Sequence, residues 1–174
     1  MSHDLIEKWK AYRQDKSDID ADKKLTDFCI SFRNSLFFLE IVPIPEEGAG
    51  QCLRFIPSPE GTGVAETLLA YLELKENEVP ASILEMMENT ERDFTPADGN
   101  FILSIVDKYN FNISINSDNN QSELIPQNIV HRLSEIAIKL TNDEKAAKKA
   151  KIKKVAFIIL PLIALLIIGA LLTR

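Results

Sequence analysis

The sequence predicts an α+β fold: a small mixed sheet with flanking helices, followed by a single carboxyl-terminal transmembrane helix. Three observations carry the prediction. Apolar residues recur at helical spacing near both ends of the body, dense branched and aromatic runs broken by turns lie between them, and residues 155–172 read VAFIILPLIALLIIGALL. With 174 residues, 45% of them apolar, the chain suffices for one core, and its near-average composition excludes collagen-like, disulfide-dense or wholly disordered classes.

Taken in order, residues 1–34 form an amino-terminal helical segment. Leu5, Ile6, Trp9 and Tyr12 share one side, and Leu25, Phe28, Cys29 and Phe32 share another, on two helices or one bent helix. SLFFLEIVPIP and QCLRFIP, joined by EEGAG, read as a hairpin in which Pro43, Pro45 and Pro57 limit central pairing. GTGVAETLLAYLEL fits a helix or a strand, and its place after the turn PEGTG favours a third strand around Thr67 to Leu74. VPASILEMMENTE reads as a helix with Pro80 in its first turn and Ile83, Leu84 and Met87 as its apolar face. Thr95, Pro96 and Asp98 have the spacing of a cap, a first-turn proline and an acid, which predicts a helix to about Tyr109. NFNISIN alternates as a half-buried strand, and Pro126 opens a long helix with Ile129, Leu133, Ile136, Ala137 and Leu140 in one stripe.

That helix leads into a basic stalk, 145–154, and then into the apolar run. Eighteen residues without a charge or hydrogen-bonding side chain reach about 27 Å as a helix, close to the thickness of a bilayer core. Pro161 would cost about 3 kcal/mol inside a soluble helix but is tolerated in lipid, where it can kink the span. Gly169 and Thr173 have small-residue spacing, too little to predict dimerisation. All 26 acidic residues precede Lys145, and six of the 20 basic ones lie between Lys145 and Lys154, so the body carries −13 and the remainder +7. The lysines predict a cytoplasmic body by the positive-inside rule. MSHDLIEKWKAYRQDK lacks the apolar core of a secretory leader, and only two residues follow the run, so insertion is expected after translation.

The order of elements from Ser35 to about Leu133 resembles the SseB N-terminal-type domain of bacteria. The likeness runs through LFFLEIVPIP, LRFIPSPEG, TLLAYLEL and, above all, FILSIVDKYNFNISINSDNNQSELIPQNIVHRL, where a helix leads to an asparagine-ended strand, a polar loop and a proline-started helix. The resemblance implies an SseB-like α+β domain over 35–144 without an established catalytic residue, in proteins often found near secretion or envelope systems. It carries a fold rather than an activity.

Catalytic and metal chemistry find little footing. Cys29 and Cys52 lie 23 residues apart and the histidines are His3 and His131, which is no metal-ligand spacing, and no cofactor is expected. Either cysteine could be written with His131 as a nucleophile pair, but each sits in an apolar run where it fills a core. Gly61 to Gly63 is a turn, lacking the other glycines and the lysine of a phosphate loop. Glu85, Glu88, Glu91 and Asp93 read as a solvated acidic edge ahead of a site for a basic partner, and Phe37, Phe38 and Phe55 as core ahead of a binding surface. Lys148, Lys149, Lys151, Lys153 and Lys154 are the candidates for contact with anionic lipid. The acidic surplus argues against nucleic acid as a partner.

The expectation is a tail-anchored, single-pass membrane protein whose cytoplasmic domain is a non-catalytic adaptor or scaffold. Its partners would be the bilayer and a protein, the latter adding a strand at the edge of the hairpin sheet. The alternative is a membrane-tethered enzyme of unrecognised type. Oligomeric state and partner identity are not legible in the sequence.

Overall fold

The computed structural model describes residues 2–14, 20–44, 50–58, 66–72, 78–90, 92–105, 109–117 and 122–172, with the backbone alone at 2–3 and 153–172. In chain order these form α1 (Ser2–Gln14), α2 (Ala21–Arg33), β1 (Leu36–Pro43), β2 (Gln51–Leu53), β3 (Phe55–Pro57), β4 (Glu66–Leu72), α3 (Ala81–Thr90), β5 (Asp93–Asp98), α4 (Gly99–Ser104), β6 (Asn112–Asn116), β7 (Ser122–Ile125) and α5 (Gln127–Leu172). The chain divides into two units, Met1–Ala137 and Ile138–Arg174. Every strand lies in the first, and so do α1 and α2, which therefore share a unit with the sheet.

The fold is α+β with an open mixed sheet. β1 pairs antiparallel with β5 along one edge (Leu36↔Asp98 to Ile41↔Asp93) and with β4 along the other (Phe37↔Leu72 to Leu39↔Ala70). Beyond Leu39 the strands β1 and β4 part, and β2 and β3 fill the gap. β2 pairs with the end of β1 (Ile41↔Leu53) and β3 with the start of β4 (Phe55↔Leu68). β4 and β6 run parallel, and β7 closes the far side antiparallel to β6. Gly50, at φ +85, makes the return into β2, and its carbonyl accepts from the Ile44 N–H at 3.0 Å.

Alternation decides what each face of the sheet buries. Phe37, Leu39, Leu68, Ala70, Leu72, Ile113 and Ile115 point to one face and are at most 1% exposed. Helices cover them: Phe32 of α2 lies 4.9 Å from Phe37 between ring centroids, and Phe28 lies 5.3 Å from Trp9 of α1. The Ser134 hydroxyl of α5 donates to the Leu103 carbonyl of α4 at 3.2 Å, and Cys29 of α2 donates to the Leu133 carbonyl at 3.4 Å. On the opposite face Tyr71 meets Phe94 edge-on and donates to the Met86 sulfur of α3.

The structure corrects several expectations. Thr95 and Pro96 do not open a helix; they lie in β5, held by six paired positions along β1, and the cap falls three residues later at Asp98. An edge strand accommodates proline, so the pairing outweighs the local capping pattern. β6 is buried on both faces rather than one, because Asn112 and Ser114 are satisfied by neighbouring polar groups. On α3 only Ile83 of the expected apolar face is buried; Leu84 and Met87 remain about half exposed. Among the described residues, the hairpin strand β1 is flanked on both sides, while the other hairpin strand, β2, pairs with β1 alone and ends the strand order, as β7 does on the far side; β5 too pairs with β1 alone.

Among the described residues no helix is long and apolar enough to cross a membrane. The expected span 155–172, with Pro161 and Gly169, lies outside the residues whose side chains are described, and Thr173 lies outside the described chain. The backbone of α5 is helical to Leu172.

Candidate functional site

Trp9 and Tyr12 lie three residues apart on α1, so helical spacing sets both rings on the buried side, with centroids 5.7 Å apart. Arg13, next along, reaches β7 and donates to the Glu123 carboxylate at 2.7 Å, tying α1 to the sheet edge. Arg132 of α5 donates to the Tyr12 hydroxyl at 3.3 Å and to Asp22 at 2.7 Å. These ties leave a cleft of about 360 Å³ lined by Trp9, Tyr12, Arg13, Leu124, Pro126, Asn128 and Ile129. Its volume falls in the range of small-ligand pockets, about 300–1,000 Å³.

The walls are mainly apolar, yet the Trp9 indole N–H, on a residue only 2% exposed, has no hydrogen-bond partner among the described residues. A buried donor left unpaired costs about 1–3 kcal/mol. The start of α5 forms the facing wall. The Asn112 side chain accepts from the Gln127 N–H at 2.9 Å, and the Pro126 carbonyl accepts from the Ile129 and Val130 N–H groups. That leaves the Asn128 N–H as the first-turn donor without an acceptor among the described residues.

A second cluster sits on the opposite face of the sheet. Glu40, 3% exposed in the middle of β1, receives Arg54 at 2.6 Å and Arg92 at 3.6 Å. The Arg54 N–H also donates to the Glu40 carbonyl at 2.9 Å, at the break between β2 and β3. Burial raises the Tyr71 phenol above its ordinary value, and the Glu40 carboxylate raises it further, while the two arginines oppose the shift. Both arginines are partly spent on Glu40, and the cluster marks the point where β1 and β4 part. It is an internal tie rather than a site.

The residues singled out from the sequence do not converge. Lys148, Lys149 and Lys151 are exposed on α5. Lys153 and Lys154 lie on its helical backbone, their side chains outside the described set. At about 100° per residue these five positions surround the helix rather than forming one face. Cys29 is buried and Cys52 exposed. Burial pushes the Cys29 thiol up to about 11, Arg33 only partly opposing it, so the neutral form prevails. The His131 ring instead meets Asn110 at 3.3 Å and Gln127 at 3.4 Å.

Glu85 and Glu88 are exposed on α3, Asp93 belongs to β5, and Glu91, like Gly61 to Gly63, lies outside the described residues. Phe37 is core; Phe38 and Phe55 are half-buried, Phe55 packing on Phe111 at 5.3 Å. His3 has no described side chain. No group of three His, Cys, Asp or Glu able to hold a metal ion occurs among the described residues.

Sequence reasoning placed Trp9 and Tyr12 on a buried face but missed the cleft, since the opposite wall comes from residues more than a hundred positions away. Compared with protein-family models, with characterised proteins and with solved structures, the chain matches none.

Proposed function

We propose that this chain is a single-pass membrane protein whose amino-terminal α+β domain faces the cytoplasm and acts as a non-catalytic adaptor or scaffold. The observation that carries the reading is the run 155–172, without charge or hydrogen-bonding side chains, placed directly after a lysine-rich stretch. Lysines set around the helix form a charged collar suited to the boundary between water and headgroups. Lys148, Lys149, Lys151, Lys153 and Lys154 would each draw anionic lipid with about 1 kcal/mol. The SseB-like order of elements belongs to the same proposal and suggests a role beside a secretion or envelope system. The reading without catalysis draws on the neutral, buried Cys29 thiol and on the polar, non-cysteine neighbours of His131.

The test is extraction. The full-length protein expressed in bacteria should stay with the membrane pellet in alkaline carbonate, and a version ending at Glu144 should be released. Release of the full-length chain would refute the tether. Crosslinking from membranes, with and without the tail, then asks whether the domain holds partners itself; recovery of the same partners by both forms is the expected outcome.

A further inference from the structure

We propose that the outer face of α3, built on Leu84 and Met87 with Glu88 and Glu85 beside them, docks a basic amphipathic helix of another protein. The inference names a partner class for the adaptor reading and rests on it in that respect. Every residue it uses lies within Met1–Ala137, so it stands whether or not the tail enters a membrane.

α3 is a helix that leaves part of its apolar side uncovered. A surface helix ordinarily turns that side to the core. Here Ile83 is fully buried and Met86 half-buried where its sulfur accepts from the Tyr71 hydroxyl, but Leu84 and Met87 stay 48% and 43% exposed. Exposed apolar residues scattered singly are ordinary. Among the described residues of this unit, however, three of the six large ones, Val79, Leu84 and Met87, fall on α3 or just before it. At about 100° per residue, the helix surface reads Ile83, Met87, Leu84, Glu88, Ala81 and Glu85 in turn. One flank of the apolar stripe is therefore the core, and the other is acidic.

The charges select the occupant. Glu85 and Glu88 are exposed and have no cation partner among the described residues, and α3 itself carries no basic residue. Arg92, just beyond it, is directed to Glu40 at 3.6 Å and to the Met86 sulfur at 3.9 Å, on the core side. A second copy laid on the same face about a two-fold axis would set these carboxylates against their own images. Anionic lipid and nucleic acid are repelled in the same way. The complementary surface is an apolar helical stripe flanked by lysine or arginine, whose methylene stems can also cover Leu84. Met87 adapts to varied apolar partners. Two half-exposed side chains make a small patch, so the complex is transient.

The probe is a labelled, capped peptide of about four helical turns, with leucine at every third or fourth position and lysine and alanine elsewhere. A version with glutamate for lysine is its control. Titrated into the full-length protein with phosphatidylcholine discs present, the lysine peptide should shift the Met87 methyl resonance saturably, one of three methionine methyls in the chain. The glutamate peptide should leave it unmoved.

Affinities come from the anisotropy of the labelled peptide. Glu85→Gln with Glu88→Gln should weaken binding about fivefold, and Leu84→Gln with Met87→Gln about tenfold. Glutamine keeps the helix propensity, and these side chains are exposed, so the fold is kept. Glu66→Gln with Glu135→Gln removes the same charge from exposed positions elsewhere in the unit and should weaken binding less than about twofold.

Equal weakening by the two charge pairs would reduce the contact to general attraction by an acidic body and overturn the proposal. So would an unmoved Met87 methyl, or full affinity after Leu84→Gln with Met87→Gln. A shift of that methyl with protein concentration alone would give the face to a second copy, and a shift on adding phosphatidylglycerol to the discs would give it to lipid; either result overturns the proposal. If the face fails while the domain still crosslinks to partners, the adaptor reading stands on another surface; if crosslinking fails as well, that reading falls too.

Discussion

Glu40 shows how much one side chain can hide in a sequence. In LFFLEIV it is one acid in an apolar strand, and alternation would send it either to solvent or to a partner. Its partners Arg54 and Arg92 come from β2–β3 and from the approach to β5, which no local pattern announces. The two sides of this tie are unequal. Both arginines keep over a third of their side-chain surface in water, whereas Glu40 keeps 3%. Arg54→Met strands a buried carboxylate with a distant partner and should cost about 3 kcal/mol in urea unfolding. Glu40→Gln leaves cations that water can reach and should cost about 1 kcal/mol. Equal losses would show that the carboxylate is not the dependent member.

Cys29 makes a second prediction at this scale. Its folded value, about 11, lies above the ordinary 9.0 because burial favours the neutral thiol. A raised value of this kind contributes stability below the ordinary value, and that contribution is lost as pH rises through the folded one. Tyr71, shifted upward mainly by its own burial, adds to the same alkaline decline. Stability measured by urea unfolding should therefore fall between about pH 9 and 11, and Cys29→Ala should flatten that slope. In the native protein a thiol reagent should modify exposed Cys52 quickly and Cys29 only after denaturation.

Among the elements, those defined by a single repeating pattern were legible. α1, α2 and the start of α5 fall where apolar spacing places them, β4 falls where its place after the turn PEGTG puts a strand that spacing alone left open to helix, and the β1–β2 hairpin follows from two branched runs around a turn. The failure at Thr95 and Pro96 is instructive because the local pattern was favourable and a distant strand overrode it. Asp98 is the cap, its carboxylate accepting from the Phe101 N–H at 2.7 Å. Gly99 follows because a Cβ there would overlap the Phe32 carbonyl of α2. Asp98→Ala should cost about 1 kcal/mol and Thr95→Ala far less, read from urea midpoints; the reverse order would restore the earlier cap.

For the whole molecule, the class of fold was readable but strand order was not. The wedge of β2 and β3 between β1 and β4, and the place of β5 beside β1, depend on pairings across long stretches of chain. The cleft was hidden for the same reason: apolar periodicity reports that Trp9 is buried, never what stands opposite it. A polar chain through Gln127, Asn112, Ser58 and Thr67, which explains the burial of Asn112, joins segments that composition would assign to loop, strand and helix separately.

The three partners of β1 also bear on the molecule's birth. Residues 36–43 leave the ribosome early, yet one flank must wait for the strand that ends at Leu72 and the other for the one that ends at Asp98. At about 5–20 residues per second, Phe37 and Leu39 stay without their full complement of neighbours for seconds. During that interval the nascent chain offers a sticky, unfinished ribbon, the kind of surface a holding chaperone grips.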